Sequence, residues 1–153
     1  MSLITPADLV TELYPEVIDE ITRASDQEQK DQIKAAEDFA KAYLFKYDLI
    51  ALFGTNTLLP AVDDDSLKKC VKIIAAYFLV RKANPNVSLS LFRDDYMLMV
   101  GTKEEPGWLE MIRNGDLNPA WPYKPDNPDT PEDESTQNND VYWTSTKQRV
   151  NRF

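Results

Sequence analysis

Histidine is absent from all 153 residues. It is the side chain that titrates near neutral pH and the commonest metal ligand. Without it, most acid–base catalysis at pH 7 and most zinc-type sites are excluded. Cysteine occurs once, at Cys70. It cannot close an intrachain disulfide, and with no histidine to activate it, it reads as a small buried hydrophobe. The four glycines are scattered singly, so no loop is built to cradle a phosphate. No apolar run approaches the roughly 20 residues that a membrane span needs. Residues 1–10 lack the basic start and apolar centre of a signal peptide, so the expected compartment is cytoplasm-like. Positive charge is also scarce: 17 Lys and Arg face 26 Asp and Glu, a net charge of −9. Such a chain is poorly suited to wrapping nucleic acid from outside. Its charge keeps it soluble or matches a basic protein partner.

What the chain does have is helical periodicity, centred on residues 65–83, DSLKKCVKIIAAYFLVRKA. Leu67, Val71, Ile74, Ala75 and Phe78 recur at helical spacing. Cys70, Ile73, Ala76, Tyr77, Leu79 and Val80 widen that stripe until little polar surface remains. A helix apolar on nearly every side must be wrapped by others. Asp63, Asp64 and Asp65 supply caps and negative charge at its start. Lys82 lies in its last turn, and Asn84-Pro85 stops it.

The flanking segments supply the wrapping. Thr5-Pro6-Ala7-Asp8 is a helix start, and the short helix that follows ends at Tyr14-Pro15. Pro15 opens a second short helix carrying Val17, Ile18 and Ile21. Ser25 or Asp26 caps a long helix expected to run to about Tyr47, with Ile33, Ala36, Ala40, Tyr43 and Leu44 in its stripe. Its polar opening, residues 26–32, reads as a solvated first turn or two or as a protrusion beyond the core. Leu49, Leu52 and Phe53 form one further turn stopped by Gly54. In the loop that follows, Leu58, Leu59 and Val62 are expected to tuck against the core. Ser88 or Ser90 caps a helix bearing Leu91, Phe92, Tyr96 and Met99. Pro inside an unbroken helix costs about 3 kcal/mol, so a break is expected between Gly101 and Pro106. Trp108, Leu109, Met111 and Ile112 make the last apolar turn before Gly115.

Beyond Gly115 the composition changes. Half of the ten prolines lie there, among Asp and Asn and with almost no aliphatic side chains. Such a stretch cannot build a core. The last residues restore apolar and basic character: Tyr142, Trp143 and Phe153, with Lys147, Arg149 and Arg152. The expected fold class is therefore all-α. A small helical bundle, residues 1–115, surrounds a central apolar helix and is followed by an extended Pro/Asp-rich C-terminal arm, 116–153.

No constellation of catalytic type accompanies this pattern. Asp63–Asp65 lacks the spacing of a calcium loop. Glu37 with Asp38, and Glu104 with Glu105, are adjacent helical positions that do not converge on one point. No serine or cysteine has a base to activate it. The expectation is a non-enzyme with no cofactor and no metal site. Trp121 and Tyr123 either pin the start of the arm to the bundle or face a partner. With Tyr142, Trp143, Lys147, Arg149, Arg152 and Phe153 they are the candidate protein-interaction residues, since Trp and Arg are enriched at interface hot spots.

The order ITPADLVTEL, AAEDFAKAYLFKYDLIALFG, DSLKKCVKIIAAYFLVRKANPN, FRDDYMLMV and WLEMIRNGDLNPAWP resembles the Mu-like phage and prophage family of small helical head proteins. That family is similar to the head–tail connector (neck adaptor) proteins of tailed phages. The resemblance covers Leu3 to Pro122. It departs at Gly101–Gly107, where the family reads as an uninterrupted helix. It implies a virion structural subunit that assembles in a ring between the portal protein and tail or stopper proteins, with DNA passing through and no sequence-specific contact to it. It further implies a C-terminal arm docking on the portal or a neighbouring subunit. The location implied is the virion neck, and the bacterial host cytoplasm when expressed. A ring needs two different patches per subunit, and the surface near Gln27–Gln32 and the arm Tyr142–Phe153 are the candidates. A reading of another class is a bacterial helical adaptor that binds a protein partner through Trp121, Tyr123 and the aromatic and basic tail.

Overall fold

The computed structural model describes residues 2–23, 25–82, 89–102 and 104–125. Among these the fold is helical without a strand. The elements are a 3₁₀ helix, Pro6–Thr11, then α1 (Pro15–Thr22), α2 (Asp26–Tyr43), α3 (Leu49–Phe53), α4 (Asp65–Lys82), α5 (Leu89–Val100) and α6 (Trp108–Asn114). The all-α bundle expected from periodicity is present.

Helix α4 lies at its centre. Leu67, Cys70, Val71, Ile73, Ile74, Ala75, Ala76, Leu79 and Val80 are all buried. These positions go round the helix, so neighbours must cover several sides. Helix α2 packs most extensively on α4, α5 covers another side, and α1 and the 3₁₀ helix contribute further contacts. The α2 face is made for close approach, with Ala36 and Ala40 fully buried beside Ile33. Each large aliphatic side chain enclosed this way contributes about 1.5–3 kcal/mol. Asp64 Oδ1 accepts the Leu67 N–H at 2.9 Å, capping α4 as its aspartate run predicts. Asn84, Pro85 and Ser88, expected to stop α4 and cap α5, lie outside the described residues, and Ser90 falls inside α5.

The N-terminal segment is tied down by two carboxylates. Asp8 accepts the Thr5 N–H and hydroxyl, both at 2.7 Å. These bonds, the backbone one first, hold its carboxyl below the ordinary aspartate range. Glu37 is buried on α2 yet satisfied: it accepts the Leu3 N–H at 2.8 Å and the Ser2 hydroxyl.

The break before α6 is built from glycine. Gly101 and Pro106 form an isolated bridge, and Gly101 has φ +87°. A Cβ on Gly101 would sit 2.1 Å from the Gly107 nitrogen, and one on Gly107 would sit 2.3 Å from the Gly101 nitrogen. The two backbones touch, so both positions exclude any side chain. The expected interruption of the helix is therefore real.

Four expectations need correction. Helix α2 ends at Tyr43 rather than near Tyr47. The Leu44 N–H is shared between the Ala40 and Lys41 carbonyls, and Tyr47 N–H bonds back to Leu44 O at 3.0 Å, a tightened end. The polar opening of α2 is not wholly solvated. Gln29 is buried and its amide reaches Thr22 Oγ1 at 3.4 Å. Leu58 and Leu59 do not tuck inward; they are 61% and 68% exposed, and only Val62 of the three packs on the core. Thr55 N–H bonds to Leu58 O at 2.8 Å and Leu58 N–H to Thr55 Oγ1 at 3.0 Å, so the turn satisfies its own polar groups without burying its leucines.

The fourth correction concerns the boundary at Gly115. The chain does not leave the bundle there. Residues 116–124 fold back along the end of α2, where Pro122 O accepts the Asp48 N–H at 2.9 Å and Lys124 N–H bonds to Lys46 O at 3.1 Å. The body therefore extends about nine residues beyond the composition change.

Candidate functional site

Trp121 and Tyr123 explain why the body extends that far. Trp121 is only 5% exposed. Its indole N–H donates to Asp64 Oδ2 at 2.9 Å, and its ring meets Tyr47 and Trp108 edge-on, with centroids 5.5 and 5.9 Å away. Tyr123 stacks on Tyr47 at 5.0 Å. Both phenols share Asn118 Oδ1, at 3.4 Å from Tyr47 and 3.0 Å from Tyr123. Burial first, then the neighbouring Tyr123, pushes the Tyr47 hydroxyl up to about 12. Of the two sequence readings, pinning to the bundle is the one realised. Trp121 is core rather than an exposed anchor, and Tyr123 is half-buried beside it. Tyr142, Trp143, Lys147, Arg149, Arg152 and Phe153 lie outside the described residues.

The aspartates at the start of α4 are committed to structure. Asp63 pairs with Lys68, and Asp64 serves the helix cap and Trp121 at once. No group of three or more His, Cys, Asp or Glu side chains able to hold a metal lies among the described residues. Cys70 is enclosed in α4, and burial pushes its thiol up to about 12, so it stays protonated at neutral pH.

Two surface hollows carry distinctive chemistry. The first, about 430 Å³, runs along α2. Ile4, Ile33 and Phe53 lie buried beneath it, and Lys30, Lys34 and Lys41 stand along it. Lys41 pairs with Asp38 at 3.0 Å and lies 5.2 Å from the centre of the Phe53 ring. Among the described residues, Lys30 and Lys34 have no acidic partner. The one carboxylate in the hollow, Glu37, already accepts two bonds. This is a basic groove on an acidic protein. The second hollow, also about 430 Å³, lies where α5 turns into α6. It is lined by Met97, Leu98, Pro106 and Met111, with Asp94 and Glu105 as its charges. Its chemistry is the reverse: acidic groups beside soft apolar surface.

The first hollow overlaps, at Lys30, the stretch Gln27–Gln32 expected as a ring patch, and the second was not expected. The groove was available as a spacing, since Lys30, Lys34 and Lys41 share a helix face at i, i+4 and i+11. The second hollow depends on the Gly101–Gly107 contact, which no local pattern announces. Beyond the side chains themselves the chain has no guide from kinship: no family model, curated protein or solved structure matches it.

Proposed function

We propose that this chain is a structural subunit of a phage or prophage virion, a head–tail connector that assembles as a ring between portal and tail. One observation carries this reading. A helical body is closed by a pinned segment ending near Pro125, and the 28 residues after it are divided by charge. Residues 126–140 hold six acidic and no basic side chains, and residues 141–153 hold three basic side chains, five aromatic or valine anchors and no acidic side chain. A compact body with a separate, chemically distinct arm is what a ring subunit needs, because closed rings use two different surfaces per subunit. The sequence resemblance over Leu3 to Pro122 points the same way. The adaptor alternative loses support, because its anchor Trp121 is spent inside the fold.

In this role the arm end from Tyr142 to Phe153 docks on the portal or a neighbouring subunit. The protein works in the virion neck after synthesis in the host cytoplasm. Ordering the arm on docking has a cost, so assembly is conditional on the portal surface. The test is to mix full-length protein with an intact cognate portal ring and follow complex formation by analytical ultracentrifugation. A complex is expected, and removing residues 142–153 is expected to weaken it while leaving the helical circular dichroism nearly unchanged. Absence of any complex with full-length protein would contradict the reading.

A further inference from the structure

Two faces of the body display exposed leucines, and the two carry opposite charge. On the first, Lys30 and Lys34 stand along the α2 hollow, exposed and without an acidic partner among the described residues. Thr55 and Asn56 line the same hollow, and the turn they open displays Leu58 and Leu59. Thr55 bonds to both the Leu58 carbonyl and the Leu58 N–H, so that turn is held before anything touches it. An apolar tip already in place loses little entropy on contact. On the second face, Leu91 and Leu98 stand out from α5 with Asp94 between them, and Glu105 borders the adjoining hollow. Neither carboxylate enters an ion pair among the described residues.

The two faces point away from each other. At about 100° per residue, Lys30, Lys34 and Lys41 fall within about 40° around α2, and Phe39 lies on roughly the opposite side. Around α5, Leu91, Asp94 and Leu98 fall within about 60°, and Tyr96 lies roughly opposite them. Phe39 and Tyr96 face each other with ring centroids 6.3 Å apart, and both meet Phe78 of α4. The lysine and acid faces are therefore the outer sides of two helices whose inner sides touch. A single folded chain cannot lay one on the other, but two chains can.

We propose that this protein associates head to tail with copies of itself, the lysine face of one copy lying on the acidic α5 face of the next. Lys30 and Lys34 meet Asp94 and Glu105, and the four exposed leucines are covered beside them. Charge selects this arrangement. At a net charge of −9 most other orientations bring like charges together, and the α2 face is a basic exception. Exposed ion pairs contribute little each, so the leucines supply most of the affinity while the charges set the orientation. Each copy leaves one face of each kind open, so the contact repeats. It gives a ring if the rotation closes and a filament if it does not. This self-contact goes beyond the connector reading and needs no portal, so either can fail while the other stands.

The experiment is sedimentation velocity on the full chain from about 10 μM to about 1 mM, the range of weak contacts. The parent protein is expected to sediment faster as concentration rises and to grow beyond a dimer. Lys30→Glu with Lys34→Glu, and separately Asp94→Lys with Glu105→Lys, should each leave a monomer with unchanged helical dichroism. Mixing those two variants should restore association, because the reversed lysine face of one fits the reversed acid face of the other. Both variants stay net negative, so general attraction does not account for that rescue. Leu98→Ser should weaken association about tenfold, the scale of covering one leucine. A parent protein that stays monomeric throughout would overturn the proposal, as would a dimer that never grows, which is a two-fold contact. Association that ignores both reversals, or reversed variants that stay monomeric when mixed, would overturn it equally. Association that survives the reversals and is lost on removing residues 142–153 would assign the contact to that segment instead.

Discussion

Helices α4 and α5 are both rich in apolar side chains, yet nine residues of α4 are buried and none of α5 is. The difference lies in their neighbours rather than their composition. Helix α4 is covered by α2, α5, α1 and the 3₁₀ helix, whereas α5 packs mainly on α4 and α6. Phe92, Tyr96 and Met99 turn toward the core and are half-buried, while Leu91 and Leu98, seven residues apart, remain 71% and 68% exposed. Apolar content therefore shows that a helix has a face to cover. How much of it is covered depends on where the chain goes afterwards.

The contrast is sharpest under truncation of a single side chain. Leu79→Ala in α4 should destabilise the protein by about 2–5 kcal/mol, since the site is enclosed and collapses poorly. Chemical denaturation would measure this as a shift in midpoint at constant slope. Trp121→Phe keeps a ring in the layer over Tyr47 but strands the Asp64 carboxylate's partner bond. A loss of about 1–3 kcal/mol is expected, read by the same measurement. Leu98→Ala in α5 should stay within about 0.5 kcal/mol of the parent protein. If Leu79 and Leu98 proved equally costly, the distinction between the two helices would fail.

Alkaline pH separates the same regions by chemistry. Burial raises the Cys70 thiol from 9.0 to about 12 and the Tyr47 hydroxyl from 10.0 to about 12. A folded pKa above the unfolded one means the unfolded state loses its proton first. The stability these neutral groups contribute is thus complete below about pH 9 and is lost as pH rises toward 12. Tyr96 on α5 is also raised, by burial first and then by Tyr43 and Tyr77. Cys70→Ala should remove the part of the decline that begins near pH 9 and leave the tyrosine part that begins near pH 10, which denaturation midpoints across that range would detect. At the acidic end the sign reverses for Asp8. Its lowered carboxyl contributes stability above the ordinary value of 3.8, and that contribution fades as pH falls below it.

The helical framework was legible because it is local. Stripe spacing located α4, Thr5-Pro6 and Pro15 marked two starts, and Gly101 with Pro106 marked a break. What could not be read were partnerships between distant residues. Trp121 is core because Asp64, 57 residues earlier, takes its N–H and Tyr47 meets its ring. Composition alone placed it in an arm. Leu58 and Leu59 stay exposed because hydrophobicity does not tell which way a turn points its side chains.

The central claim is that the helical body closes with the layer formed by Trp121, Tyr123 and Tyr47, and does not need the residues after Pro125. The most direct measurement compares thermal unfolding of the full chain with chains ending after Pro125 and after Gly115. The chain ending after Pro125 should match the full chain to within about 1 kcal/mol, while the one ending after Gly115 should lose about 3–5 kcal/mol, the scale of deleting a buried tryptophan. Equal stability for the two shortened chains would contradict the account.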